Sequence, residues 1–205
     1  AVKQADYISK TKKGRLYGLP VSVKDCICVK DMESRAGSSI LKGYNPVFDA
    51  HVIGKIREEG GIIIGKTSQD VFGFGSFNVN VASDTAIPKN PYDKSRATGG
   101  SSGGAAGITA KLDSPHIAIA ESTGGSIAAP ACYCGVYGLT PTYGRVSRYG
   151  LIDFANSMDK IGVIAKDIED IALMMEIISG YDEKDSTSEN IPVDKFSESK
   201  KKKFR

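Results

Sequence analysis

Thr98-Gly99-Gly100-Ser101-Ser102-Gly103-Gly104 leads into the helix-forming run Ala105 to Ala110, then into a weakly alternating segment, His116 to Ala120, and a second glycine-serine nest, Ser122-Thr123-Gly124-Gly125-Ser126. Flexible linkers do not normally open straight into helical and strand-like segments, so the nests are read as built turns. Glycines let the backbone turn tightly enough for consecutive N–H groups to converge on one spot and stabilise an anion. Ser126 to Ala131 then reads as a helix starting at a glycine turn, which requires Pro130 to lie in its first turn.

The same alternation of elements extends outward in both directions. Leu16 to Asp25 alternates apolar and polar residues after a Gly-Leu-Pro turn and predicts a short strand with Lys24 at its end. Val52, Ile53 and Ile56 fall at helical spacing between Asp49, a candidate cap, and the stop Gly60-Gly61, after which Ile62-Ile63-Ile64 predicts a buried strand. Phe72 to Asn90 has no sustained period and predicts a long irregular crossover. Ile168, Ile171, Ala172, Met175 and Ile178 form one face of an amphipathic helix capped by Asp167. Strands alternating with helices predict an α/β layered domain with helices on both faces of the sheet. The closing Lys200 to Arg205 is a basic run, read as a solvated segment.

Bulk properties narrow the function. With 40% hydrophobic and 25% charged residues the 205-residue chain has a globular composition. Its 27 basic residues against 24 acidic ones are too balanced to indicate a nucleic-acid surface. There is no apolar run of about 18 residues and no secretory leader at Ala1 to Asp6, so the expected setting is the cytoplasm, away from membranes. Four cysteines form two C-x-C pairs, Cys26/Cys28 and Cys132/Cys134. One-residue spacing is poor for a tetrahedral zinc knuckle, so they are read as reduced, small apolar residues and no metal is expected.

Neither nest fits the phosphate-loop pattern G-x-x-x-x-G-K-[ST], because no lysine follows its glycines, and Gly65-Lys66-Thr67 is set aside as well. Nucleophilic catalysis remains: a serine with a base in reach and donors around the developing oxyanion. His51 on a surface helix and His116 beside Pro115 are the conventional bases, but no G-x-S-x-G elbow accompanies them. A serine-lysine arrangement is the better candidate, and Lys24 is the lysine expected to be tucked inside, where burial favours its neutral form.

Gly18-Leu19-Pro20-Val21-Ser22-Val23-Lys24-Asp25, Gly99 to Gly104 and Thr123 to Ile127 resemble, in order and spacing, the amidase-signature family. The resemblance implies that family's fold, a central mixed β-sheet flanked by helices on both faces. It also implies a triad in which Ser126 attacks the amide carbon, Ser101, preceded by a cis peptide, relays the proton, and Lys24 is the ultimate base. Ser101 is preferred to Ser102 because the first serine of the pair fills that role in the family. The backbone of Thr123, Gly124, Gly125 and Ser126 would be the oxyanion hole. The chain departs from the family at Ser122, usually Asp, and at Ala128, usually Arg.

Within the family, Gly138 to Leu151 and Tyr181 to Ser188 are similar to the A subunits of glutamyl-tRNA(Gln) amidotransferases. That branch implies hydrolysis of glutamine to release ammonia for conversion of Glu-tRNA(Gln) to Gln-tRNA(Gln). The implied partners are the B subunit, which binds the tRNA, and the small C subunit; ATP and Mg belong to the complex, with no cofactor on this chain. A stand-alone amidase for small or fatty amides and an inactive, truncated binding module are the rival readings. The resemblance runs from about Ser9 to Ser188, while the family's full-length subunit is much longer. The expectation is therefore a single domain over residues 1–205, incomplete at both ends, with the residues that hold the substrate's α-amino and α-carboxylate groups beyond Arg205.

Overall fold

The computed structural model describes residues 1–11 and 14–201. In chain order it has α1 (Val2–Thr11), β1 (Pro20–Lys24), α2 (His51–Glu58), β2 (Ile62–Thr67), α3 (Gly103–Lys111), β3 (Ile117–Ser122), α4 (Ala128–Cys134), β4 (Tyr137–Leu139), β5 (Lys160–Ala165) and α5 (Ile168–Ile178). The strands form one mixed sheet in the order β2-β1-β3-β5-β4. β1 runs parallel to both β2 and β3, whereas β5 runs antiparallel to β3 and β4. The expected α/β class and two-faced sheet are borne out.

Strand alternation sorts the two faces by size. Ile117 and Ile119 of β3 and Val21 and Val23 of β1 join the larger core with Ile53 and Ile56 of α2 and Ile171 and Met174 of α5. Ala118 and Ala120 face the other way, into a smaller core with Ala105 and Ala106 of α3, Ile127 and Cys134. Alanine against alanine lets α3 lie close to the sheet, which brings the first nest, at its N-terminal end, against the ends of β1 and β3. Since Val21 pairs with Ile117 in a parallel register, Lys24 and Glu121 emerge at the same edge.

Local expectations hold with four corrections. Asp167 caps α5 through its side chain, which accepts from the Glu169 N–H. Asp49 does not cap α2: Ala50 is the N-cap, and the Asp49 carboxylate accepts from the Lys30 N–H at 2.8 Å and pairs with Arg57 at 3.0 Å. A loop and a helix side chain claim it first.

Ile64 is not buried but 40% exposed, because β2 is an edge strand. Ile168, expected on the inner face of α5, is 52% exposed and borders a groove of about 610 Å³ between α5 and the chain around Leu139 to Arg145. Finally, Gly60 to Thr67 does satisfy G-x-x-x-x-G-K-T letter by letter, so the spacing alone is no ground for setting it aside. The structure supplies one: residues 62–67 are a strand, and Lys66 Nζ is spent on the carbonyls of Asp25 and Ile27 and on Ser34 Oγ. The basic run from Lys200 to Arg205 lies outside the residues whose side chains are described.

Candidate active site

Lys24 ends β1 fully buried, and its Nζ donates to Ser101 Oγ at 2.8 Å, to the Glu121 carbonyl at 3.0 Å and to Glu121 Oε2 at 2.8 Å. The peptide between Gly100 and Ser101 is cis. Of the paired serines it is Ser101 that meets the lysine; Ser102 Oγ donates to the Glu121 carbonyl at 3.0 Å. Asp25, the lysine's sequence neighbour, takes no part: its carboxylate accepts from the N–H groups of Arg35 and Gly37 and holds that turn.

The second nest is tied to the first through an absent donor. Pro130 is the third residue of α4, where a missing N–H leaves no helical bond unmade except the one to the Ser126 carbonyl. That carbonyl accepts from the Ser102 N–H at 3.2 Å instead. Ser126 is half-buried and lines a cleft of about 560 Å³ with Gly100, Thr123, Gly124, Gly125 and an apolar wall of Phe74 and Phe154, whose rings meet edge to face.

Within the nest the Gly125 N–H donates to Ser122 Oγ at 3.2 Å, so one of the four expected oxyanion donors is engaged internally. The N–H groups of Gly124 and Ser126 donate to no group among the described residues. Ser122, at the position where an Asp was expected, thus holds the turn with a neutral hydroxyl, and Ala128 is exposed.

Two carboxylates that the motifs did not single out complete the cluster. Glu121 is 3% exposed and Asp159 fully buried. Thr123 Oγ1 lies between them, 3.1 Å from Glu121 Oε1 and 2.6 Å from Asp159 Oδ1. Asp159 Oδ2 accepts from the N–H groups of Phe154 and Ala155, and Lys160 Nζ donates to the Thr123 carbonyl. Glu121 had one sequence signal, a lone acid ending an apolar strand; Asp159 had none. Removing either partner of the Lys24–Glu121 pair alone leaves a buried charge uncompensated, a loss of about 3–5 kcal/mol.

The histidines stand apart from this cluster. His51 Nδ1 pairs with Asp182 at 3.0 Å, and His116 Nδ1 shares a hydrogen bond with Thr109 Oγ1. Burial, helped by Lys166, pushes His116 down to about 4, so it is neutral near pH 7. Cys26, Cys28 and Cys134 are buried and Cys132 is exposed; all four are free thiols. Burial holds the Cys26 thiol far above its ordinary range. Among the described residues no group of three or more His, Cys, Asp or Glu side chains is arranged to hold a metal ion, and no helix is long and apolar enough to cross a membrane.

A mixed α/β sheet presenting a buried lysine to a serine behind a cis peptide, beside a second serine in a glycine nest, defines the amidase-signature class. The sequence profile of the Amidase family matches residues 1–205, and the chain belongs to that family. It is 48% identical over 189 residues to the glutamyl-tRNA(Gln) amidotransferase A subunit of Archaeoglobus fulgidus, an alignment covering 92% of this chain and 41% of that relative. To the corresponding A subunit of Clostridium kluyveri it is 47% identical, over 94% of this chain and 38% of the relative.

Among solved structures it is similar to the Thermotoga maritima glutamyl-tRNA(Gln) amidotransferase A subunit, with a TM-score of 0.82 and 44% identity over 88% of this chain and 39% of that one. The peptide amidase of Stenotrophomonas maltophilia superposes with a TM-score of 0.86 at 32% identity, over 96% of this chain and 42% of that one. The chain thus spans about two-fifths of the length of these relatives.

Proposed function

We propose that the chain carries the nucleophilic centre of a glutamine amidase that supplies ammonia for transamidation of Glu-tRNA(Gln). The observation that carries this reading is the buried Lys24–Ser101 contact, which lies behind Gly100 in the wall of a cleft lined by Ser126. Ser126 Oγ attacks the side-chain amide carbon, and its proton passes through Ser101 to the Lys24 side. The oxyanion of the tetrahedral intermediate is held by nest N–H groups, those of Gly124 and Ser126 being free to turn to it; one such donor is typically worth about 10²–10³ in rate. Collapse expels ammonia and leaves a glutamyl ester on Ser126, which water then hydrolyses.

The similarity to amidotransferase A subunits supports glutamine as the substrate and a multi-subunit complex as the setting. In this reading the B and C subunits are the partners, the tRNA contacts the B subunit, the complex works in the cytoplasm, and ATP and magnesium act away from this chain. The groups that recognise the glutamine α-amino and α-carboxylate lie beyond Arg205. Ammonia release from glutamine by the whole natural protein, with and without its partner subunits, tests the reading. The expected result is slow release alone and faster release in the complex; preference for an unrelated amide, with no response to partners, would overturn it. The apolar cleft wall of Phe74 and Phe154 and the likeness to a peptide amidase favour that stand-alone amidase as the second reading.

A further inference from the structure

We infer that Glu121 is the terminal proton acceptor of the relay, with Lys24 passing the proton on rather than keeping it. The inference rests on the reading of Ser126 as nucleophile. Lys24 Nζ meets three acceptors, Ser101 Oγ, the Glu121 carbonyl and Glu121 Oε2, all within 3.0 Å. An ammonium has three N–H groups and no lone pair, so this set matches a charged lysine paired with a carboxylate.

An ammonium cannot take a proton from Ser101. It can do so only while surrendering one of its own, and the acid-base group in contact to receive it is Glu121 Oε2. In the balanced step a Lys24 proton moves to Glu121 Oε2, and the lone pair this frees on Nζ takes the Ser101 proton; Ser101 Oγ takes the proton of Ser126 as Ser126 Oγ bonds to the carbonyl carbon and the carbonyl π pair moves onto oxygen. Ser101 ends as a hydroxyl and Lys24 as an ammonium. The negative charge has left Glu121 and appeared on the oxyanion. Reversal of the chain returns the proton to the leaving nitrogen, so ammonia departs and the carboxylate is restored.

The far side of Glu121 suits this role. Thr123 has one hydroxyl proton for two carboxylates, and its shorter contact, 2.6 Å, is to Asp159. Glu121 Oε1 is left with the longer 3.1 Å contact, so neutralising Glu121 relieves two carboxylates crowding one hydroxyl. Other titratable and charged groups packed near the pair are Asp159 and Lys160 beyond Thr123, Cys26 with Asp25 and Lys66 behind it, and buried Asp70 beside Gly100 and the Ser101 backbone, its carboxylate accepting from the Asn78 and Asn80 N–H groups. Cys26 stays a thiol and is not a rival acceptor.

The test is the pH dependence of the rate at which a fluorophosphonate labels Ser126 in the whole natural protein, which needs neither glutamine nor partner subunits. Glu121→Gln keeps the shape and removes the acceptor. Its labelling at neutral pH should fall by about tenfold or more, and its acid limb should move upward by about one pH unit or more as the relay comes to depend on a neutral Lys24. Glu121→Asp should lower the rate and leave the limb in place; this variant carries the test where Glu121→Gln fails to fold. A uniform loss at every pH with no shift of the limb, or a gain at neutral pH, would overturn the inference. Labelling of Ser126→Ala at the wild-type rate would instead remove the nucleophile assignment, and this inference with it.

Discussion

Gly104 in the first nest is pressed against Ser68, where an added Cβ would lie 2.6 Å from the carbonyl oxygen and 2.7 Å from the backbone nitrogen. Gly124 and Gly125 in the second have nothing within 4 Å of that position. The letters are nearly the same and the physical reasons are opposite. In the first nest glycine permits close packing: the Gly104 N–H bonds to the Ser68 carbonyl, Gly100 lies under Asp70, and the wall so formed fixes the Ser101 hydroxyl on Lys24. In the second, glycine keeps a space empty beside Ser126. One nest is architecture and the other is clearance: the first reaches the cleft through Gly100 alone, whereas Thr123 to Ser126 of the second all line it.

The sharpest way to break this contrast is Gly104→Ala. A methyl in the first turn of α3 would normally gain up to about 1 kcal/mol in helix propensity. Here it meets backbone rather than a movable side chain, so the clash wins, and chemical denaturation should register a net loss of about 2–4 kcal/mol. Gly124→Ala should be the smallest perturbation of stability, within about 0.5 kcal/mol, since its space is open and its backbone conformation suits an L residue. Its effect belongs to function: labelling of Ser126 by a bulky serine-directed probe should slow while the denaturation midpoint stays put. Equal destabilisation by the two substitutions would erase the distinction.

The contrast also marks where sequence reading stops. β1, β3 and α5 were legible because periodicity and a cap, Asp167, are local properties. Phe72 to Asn90 was legible as irregular, but not its task. Asp70 accepts from the N–H groups of Asn78 and Asn80, and Asn78 Oδ1 accepts from the Gly103 N–H, so this crossover buttresses the first nest. That depends on long-range contacts that spacing does not encode. Lys24 and the two serines were reached through linked motifs. Glu121 was not, because its meaning comes from the parallel register of β1 and β3, which brings the ends of two strands about a hundred residues apart to one edge. Asp49 failed as a cap for the converse reason: it has a cap's local position, and tertiary partners took the carboxylate.

The claim that Ser126, fed by Ser101 and the Lys24–Glu121 pair, is the nucleophile is tested most directly by covalent trapping. The whole natural protein would be treated with a glutamine analogue bearing an electrophilic diazoketone in place of the side-chain amide, and the modified peptide identified by mass spectrometry. The account predicts a single adduct on Ser126, lost in Ser126→Ala and strongly reduced in Ser101→Ala. An adduct carried by Ser102 or Cys132, or undiminished modification in Ser126→Ala, would contradict it.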